Sequence, residues 1–505
     1  MGSGKERWPR GACMGEMTFL LPAEIDAASR RGLEQACLAG GPESVPWPTM
    51  AVLEGDRLIL TRETSESGCL HAPWQVNGHS RCIISSCTLM EREAPYRLLL
   101  EMARGKLNQV RNQSWDWRAA GLELPANFPD DLVRAQQSFR TAVSATSPEM
   151  ADLAAGHTLE LLAQCGSSLV EAYVQQVIEL RRSRPEPPVF DLGCRFESRP
   201  PAAAEAALLD VAGSATLTFP WKEIERLQGS FTWEKADELM AWAEQSRPQN
   251  LTGGPLIDMG FEGLPEWLLA GQHDVNYLAR VMCRFAMAVV RRYHPRIRRW
   301  ILTRASNCSP SVHITEHAIL WLNLRLAQTV RQVAPEAEVV AAIARPWGDY
   351  LAFEDREHSP FVFADTLWRS EINLSALEIE LVMGGIGRES YPRDLLDASR
   401  LLDYYSLLGA PLRVALGYSP GITHNGAPEA GGKLREDALD LEQQASLGAS
   451  LAALASCKPY TQNVSWISAL DRPESSLAGY GLCDDLGHPR PIARELGDLG
   501  KRLKG

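Results

Sequence analysis

The chain has 505 residues, 45% hydrophobic and 23% charged, with a formal net charge of -12. This is the composition of an ordinary soluble protein able to build large apolar cores, with length for two to four domains. The acidic balance argues against a nucleic-acid surface, and no apolar run approaches the ~20 residues of a membrane span.

The opening MGSGKERWPRGACMGEMTFLLP lacks the apolar centre and cleavage pattern of a secretion signal, and starting instead at Met17 does not supply them. Eleven cysteines are scattered without CxxC pairs or the Cys/His spacing of a zinc site. Together these features predict reduced thiols in a cytoplasmic protein. Short alternating runs follow, MAVLEGDRLILTRE, CLHAPWQV and RCIISSCTLME, so residues 17–94 read as a small antiparallel β unit. A β-sandwich of the carbohydrate-binding type is one reading of it. From 95 to 185 the pattern turns helical, with Leu153, Leu159, Leu162 and Leu169 at helix-compatible spacing, and Pro185, Pro187 and Pro188 mark a linker over 186–204.

Residues 205–505 form the third region. From Trp221, a Gln228-Gly229 turn leads to a helix in which Ala236, Leu239, Met240 and Ala243 recur on one face, with Glu234, Lys235, Asp237 and Glu238 in its polar first turn. Pro255-Leu256-Ile257 is a short apolar run suited to a buried parallel strand, and Asp258 comes directly after it. An α/β barrel keeps its chemistry at such strand ends.

The stretch WKEIERLQGSFTWEKAD, GGPLIDM and LPEWL resembles glycoside hydrolase family 10, the retaining endo-β-1,4-xylanases. The similarity continues through RRYHPRIRRWILTRA, VAPEAEVVAAIARPWGDY, LEIELVMGG, LLGAPLRVALGY, VSWISALDRPES and GLCDDLGHPRPI, covering about 205–500. It implies a (β/α)8 barrel, preceded here by the β unit and the helical region. It also implies hydrolysis of O-glycosyl bonds in xylan or a related β-glycan by two carboxyls about 5 Å apart. At the acid/base position stands Ala305, after Arg304, and at the nucleophile position Leu416. Leu217 and Pro220 stand for an Asn and a Lys of the family, and Gly254 and Met259 for two histidines.

Other carboxylates at the family-equivalent strand ends are therefore the catalytic candidates: Asp258, Asp349 of RPWGDY, and Glu378 with Glu380 of LEIEL. In LEIEL, Leu377, Ile379 and Leu381 take one face and the glutamates the other. Paired carboxylates shift each other's pKa values, as acid/base catalysis requires; alternatively Glu378 and Glu380 bond backbone amides or arginines such as Arg345, Arg369 or Arg388. Asp349 matches an aspartate that shapes the family's site by hydrogen bonding. Trp347, Trp368 and Trp466, with Tyr350, are candidates to contact sugar rings, whereas Trp221, Trp233 and Trp242 read as packing. His313 and His317 lack a supporting HExxH and read as a solvated face, so no metal is expected. A Gly-rich insertion over 421–446 follows strand seven, where barrels carry binding loops. The resulting expectation is a glycosidase-like protein with an oligosaccharide or polysaccharide partner and no cofactor. The alternative is an inactive saccharide-binding or interaction protein on the same scaffold.

Overall fold

The computed structural model describes residues 15–41, 43–79, 81–184, 191–246, 248, 250–260, 263–271, 273–384, 391–419, 441–472, 475 and 477–504. They fall into two units. Unit 1 holds the described residues up to Gln176 with Gly348–Asp355 and Tyr391–Asp397, and unit 2 holds the rest.

In unit 1 the alternating N-terminal sequence forms β1 (Gly15–Leu20), β2 (Cys37–Gly40), β3 (Val45–Pro46), β4 (Met50–Glu54), β5 (Arg57–Arg62), β6 (Gly68–Trp74), β7 (Cys82–Leu89) and β8 (Tyr96–Arg97). They make two four-stranded sheets, ordered β4-β5-β1-β8 and β3-β2-β6-β7. All pairs are antiparallel except β1 with β8. The cause is visible in β5, where Leu58 and Leu60 point inward between solvent-side residues, the period-2 pattern of a half-buried strand. Helices Leu98–Ala119, Phe128–Ser144 and Pro148–Arg182 follow, the last of them belonging to unit 1 as far as Gln176. Phe19, Leu38, Leu60, Leu70, Met102 and Leu159 share one apolar core that draws on both sheets and on the helices. Each such fully buried side chain contributes roughly 1.5–3 kcal/mol.

Unit 2 is built on a closed barrel of eight parallel strands: β9 (Asp191–Phe196), β10 (Ser214–Leu217), β11 (Asn250–Gly253), β13 (Arg299–Ile301), β15 (Glu338–Ile343), β16 (Ala376–Met383), β17 (Leu412–Tyr418) and β18 (Thr461–Trp466), which pairs back onto β9. Beyond the ends of β11 and β13, β12 (Ile257–Asp258) pairs with β14 (Thr303–Arg304). With helices between the strands this is the expected (β/α)8 barrel. Two sequence expectations are corrected. The segment read as a linker, 186–204, contains the first barrel strand, because the prolines before it masked a short strand. The third strand is Asn250–Gly253, ahead of the apolar Pro255-Leu256-Ile257, which runs into β12.

Helix Val275–Tyr293 illustrates how the outer layer forms. Asp274 caps it by accepting the N–H groups of Asn276 and Tyr277 at 3.0 and 3.1 Å, satisfying donors that the first turn leaves free. Leu278, Val281, Met282, Phe285, Val289 and Val290 then bury one face. Phe285 stacks on Trp221, whose indole donates to the buried Glu225 at 2.7 Å, and Phe285→Ala is expected to cost about 3–5 kcal/mol. Trp221 and Trp242 are buried, as packing residues should be. No helix among the described residues is long and apolar enough to cross a membrane, and their cysteines are free thiols.

Candidate functional site

Strand alternation selects what enters the barrel. Ile301 pairs with Val340, Val340 with Ala376, and Ala342 with Glu378, so these side chains share a face. Ile301, Val340, Ala342 and Ala376 form a small apolar cluster. Two and four residues further along β16, Glu378 and Glu380 continue the same face, 0% and 1% exposed. Leu377, Ile379 and Leu381 take the opposite face.

Arginines from other strands meet the glutamates. Arg195 of β9 donates from Nη2 to Glu378 Oε1 at 2.8 Å and from Nη1 to Glu380 Oε1 at 3.5 Å. Arg413 of β17 donates from Nε to Glu378 Oε2 at 3.5 Å and from Nη2 to Thr252 Oγ1 at 3.4 Å. Arg304 of β14 directs Nε to both oxygens of Glu380 at 2.9 Å, and its Nη1 reaches Asp258 Oδ2 at 3.3 Å. Asp258 also accepts the Gly260 N–H at 2.8 Å. Burial pushes the Arg304 pKa down, but Glu380 and Asp258 outweigh it and hold the guanidinium above its ordinary value. For Arg413 burial wins over Glu378, and the shift is downward. The cluster balances Arg195, Arg304 and Arg413 against Glu378, Glu380 and Asp258, the compensation that buried charge requires.

The candidate residues divide accordingly. Glu378, Glu380 and Asp258 come together, bridged by arginines other than those near them in sequence; Arg388 lies outside the described residues. Asp349 belongs to unit 1, where it pairs with Arg393 at 2.5 Å. Tyr350 is fully buried in the same short turn, with no ring face open to a sugar. Trp466 is 1% exposed and its indole donates to the Tyr480 carbonyl at 2.6 Å, so it packs the barrel. Trp368 lies in helix Pro360–Arg369 and not at a strand end. Trp368 and Trp347, which follows β15, are half-buried. His313 and His317 are exposed, but only His317 lies in helix Glu316–Val333, so they do not share a helical face. Most of the Gly-rich insertion, 421–440, lies outside the described residues; its remainder begins helix Leu441–Cys457.

The two positions singled out by the family pattern carry no carboxylate. Ala305 follows β14 with φ 56°, in the left-handed region that side chains other than glycine rarely adopt. Leu416 pairs with Leu381, so it shares the face turned away from Glu380, and inward-facing Ala415 pairs with Glu380. No Asp or Glu occurs anywhere in β17, LRVALGY. Sequence reasoning missed Arg195, Arg304 and Arg413; their signal was a charged residue inside each short strand.

Residues 217–302 match the sequence profile of Glycosyl hydrolase family 10. No curated protein matches the chain. Among solved structures it is similar to native xylanase 10B from Thermotoga maritima, at 14% identity and a TM-score of 0.44, covering 66% of this chain and 99% of that one. A GH10 structure from Paenibacillus barcinonensis aligns at 13% identity and 0.44, over 62% and 98% of the two chains. A Thermobacillus composti GH10 xylanase aligns at 16% and 0.43, over 64% and 99%. The chain carries a (β/α)8 barrel in which residues 217–302 match the sequence profile of glycosyl hydrolase family 10.

Proposed function

We propose that this barrel binds a neutral saccharide and does not hydrolyse it by the paired-carboxylate route. The observation that carries the reading is the double hydrogen bond from Arg304 Nε to Glu380, at 2.9 Å to each oxygen, with Arg195 beside it. Retaining hydrolysis asks one carboxyl to give a proton and a second to attack the anomeric carbon. Glu380 would have to release Arg304 to do either, and Glu378 is enclosed between Arg195 and Arg413. Binding asks less. Asp258 and Arg304 are 31% and 18% exposed, and as a pair they offer an acceptor and donors to neighbouring sugar hydroxyls. The half-buried ring of Trp347, which follows β15, is the remaining aromatic candidate for sugar contact. Action inside the cell belongs to the same reading and is supported by the free thiols.

Hydrolysis by Glu380 with Asp258 is the second reading, favoured by their shared contact with one guanidinium. Calorimetric titration with xylo- and cello-oligosaccharides tests binding. Saturable heat, weakened about tenfold by Asp258→Asn, is expected from losing one charged hydrogen-bond acceptor. Absence of heat across the panel sinks the proposal.

A further inference from the structure

Helix Glu316–Val333 begins on the sequence T-E-H, with Thr315 as its cap accepting the Ala318 N–H at 3.3 Å. Its first residue, Glu316, is 5% exposed. Oε1 of that carboxylate accepts the backbone N–H of Glu357 at 3.0 Å, and Oε2 lies 2.5 Å from Nδ1 of His358. The Glu357 side chain reaches the same place: Glu316, Glu357 and His358 bring one ligand atom each within 4.8 Å of one another. All three belong to unit 2, in the segments that follow β14 and β15.

A sheltered carboxylate needs a compensating positive charge. Elsewhere in this barrel that need is met by arginine, as with Glu378 and Glu380. At Glu316 the ionic partner among the described residues is the imidazole of His358. The helix N-terminus supplies a partial positive charge, well short of a full one. Glu357 adds a second carboxylate to the same place, which deepens the deficit. One imidazole nitrogen with two carboxylates is a mixed N/O donor set, suited to zinc and its first-row neighbours; calcium and magnesium favour oxygen alone. We propose that Glu316, Glu357 and His358 bind a divalent ion of the zinc class, fastening the segment after β15 to the start of helix Glu316–Val333. The ion would take the place of the hydrogen bond between Glu316 and His358, and water would complete its coordination.

Titration of EDTA-treated, dialysed full-length protein with zinc chloride is the test, read by calorimetry and by melting temperature. One equivalent is expected to bind and to raise the melting temperature. His358→Gln and Glu357→Gln should each weaken binding by roughly tenfold or more and abolish that rise. Glu357 and His358 are not buried like Glu316, so their variants are expected to fold, and melts in EDTA matching the parent would establish it. No binding by the parent overturns the proposal. So does zinc binding that survives both substitutions, which would assign it to other histidines such as the stacked pair His273 and His313. Magnesium binding as tightly as zinc would overturn the assignment to the zinc class.

Discussion

Glu378 and Asp258 both accept from arginine, yet they sit in opposite surroundings. Glu378 is wholly enclosed between Arg195 and Arg413, while Asp258 is 31% exposed beside Arg304 at the strand ends. Inside the barrel, water cannot replace a lost partner, so each charge depends on its counter-charge. At the mouth, water screens the pair and can stand in for either member. The same chemistry is therefore structural at one depth and free to meet a ligand at the other. Glu380 lies between these extremes, tied inward to Arg195 and outward to Arg304.

This contrast can be broken at several points. The largest effect is expected from Glu378→Ala, which strands Arg195 and Arg413 and should cost about 3–5 kcal/mol in urea unfolding. A loss below about 1 kcal/mol would mean that the enclosed pairs do not hold the barrel. Trp466→Ala should cost a similar about 3–5 kcal/mol, because its ring packs the barrel. Near-normal stability with lost sugar binding would instead make Trp466 a platform. Asp258→Asn, at the exposed end, should cost under about 1 kcal/mol while weakening saccharide binding.

A pair in unit 1 gives the comparison a pH test. Lys106 pairs with Asp394. Burial pushes the Asp394 carboxyl up, but Lys106 and nearby hydrogen bonds outweigh it and hold it below the usual value. A depressed folded value means that the stabilisation is fully present above the unfolded pKa of about 3.9 and is lost as pH falls through the folded value. In Lys106→Met the largest lowering influence is gone and only the Leu396 and Asp397 amides still oppose burial, so this contribution to the slope should shrink. Melting temperatures from pH 6 to about pH 3 check it, and identical slopes in parent and variant would contradict it.

Much of the scaffold was legible because its signals are local. The face formed by Ala236, Leu239, Met240 and Ala243 specifies its helix, and L-E-I-E-L specifies a strand with both glutamates on one side. Asn250–Gly253 was hidden because Asn and Gly are poor strand formers and a more apolar tripeptide follows. For the candidate site, the sequence marked Glu378, Glu380 and Asp258 but not their partners. Arg369, close to the glutamates in sequence, bonds Asp365 instead. The actual partners come from β9, β14 and β17: β17 lies directly beside β16, but β9 comes to face it only when the barrel closes. Local periodicity contains no information about that closure. Trp466 shows the same limit: its strand-end position suggested an exposed ring, and the neighbouring Tyr480 segment covers it.

Turnover of a panel of aryl β-xylosides and β-cellobiosides tests the central claim most directly. If Arg304 and Arg195 hold Glu380 as a structural anion, the parent protein should release aryl alcohol no faster than buffer. Release well above that rate, abolished by Glu380→Gln in a variant that still folds, would contradict the account.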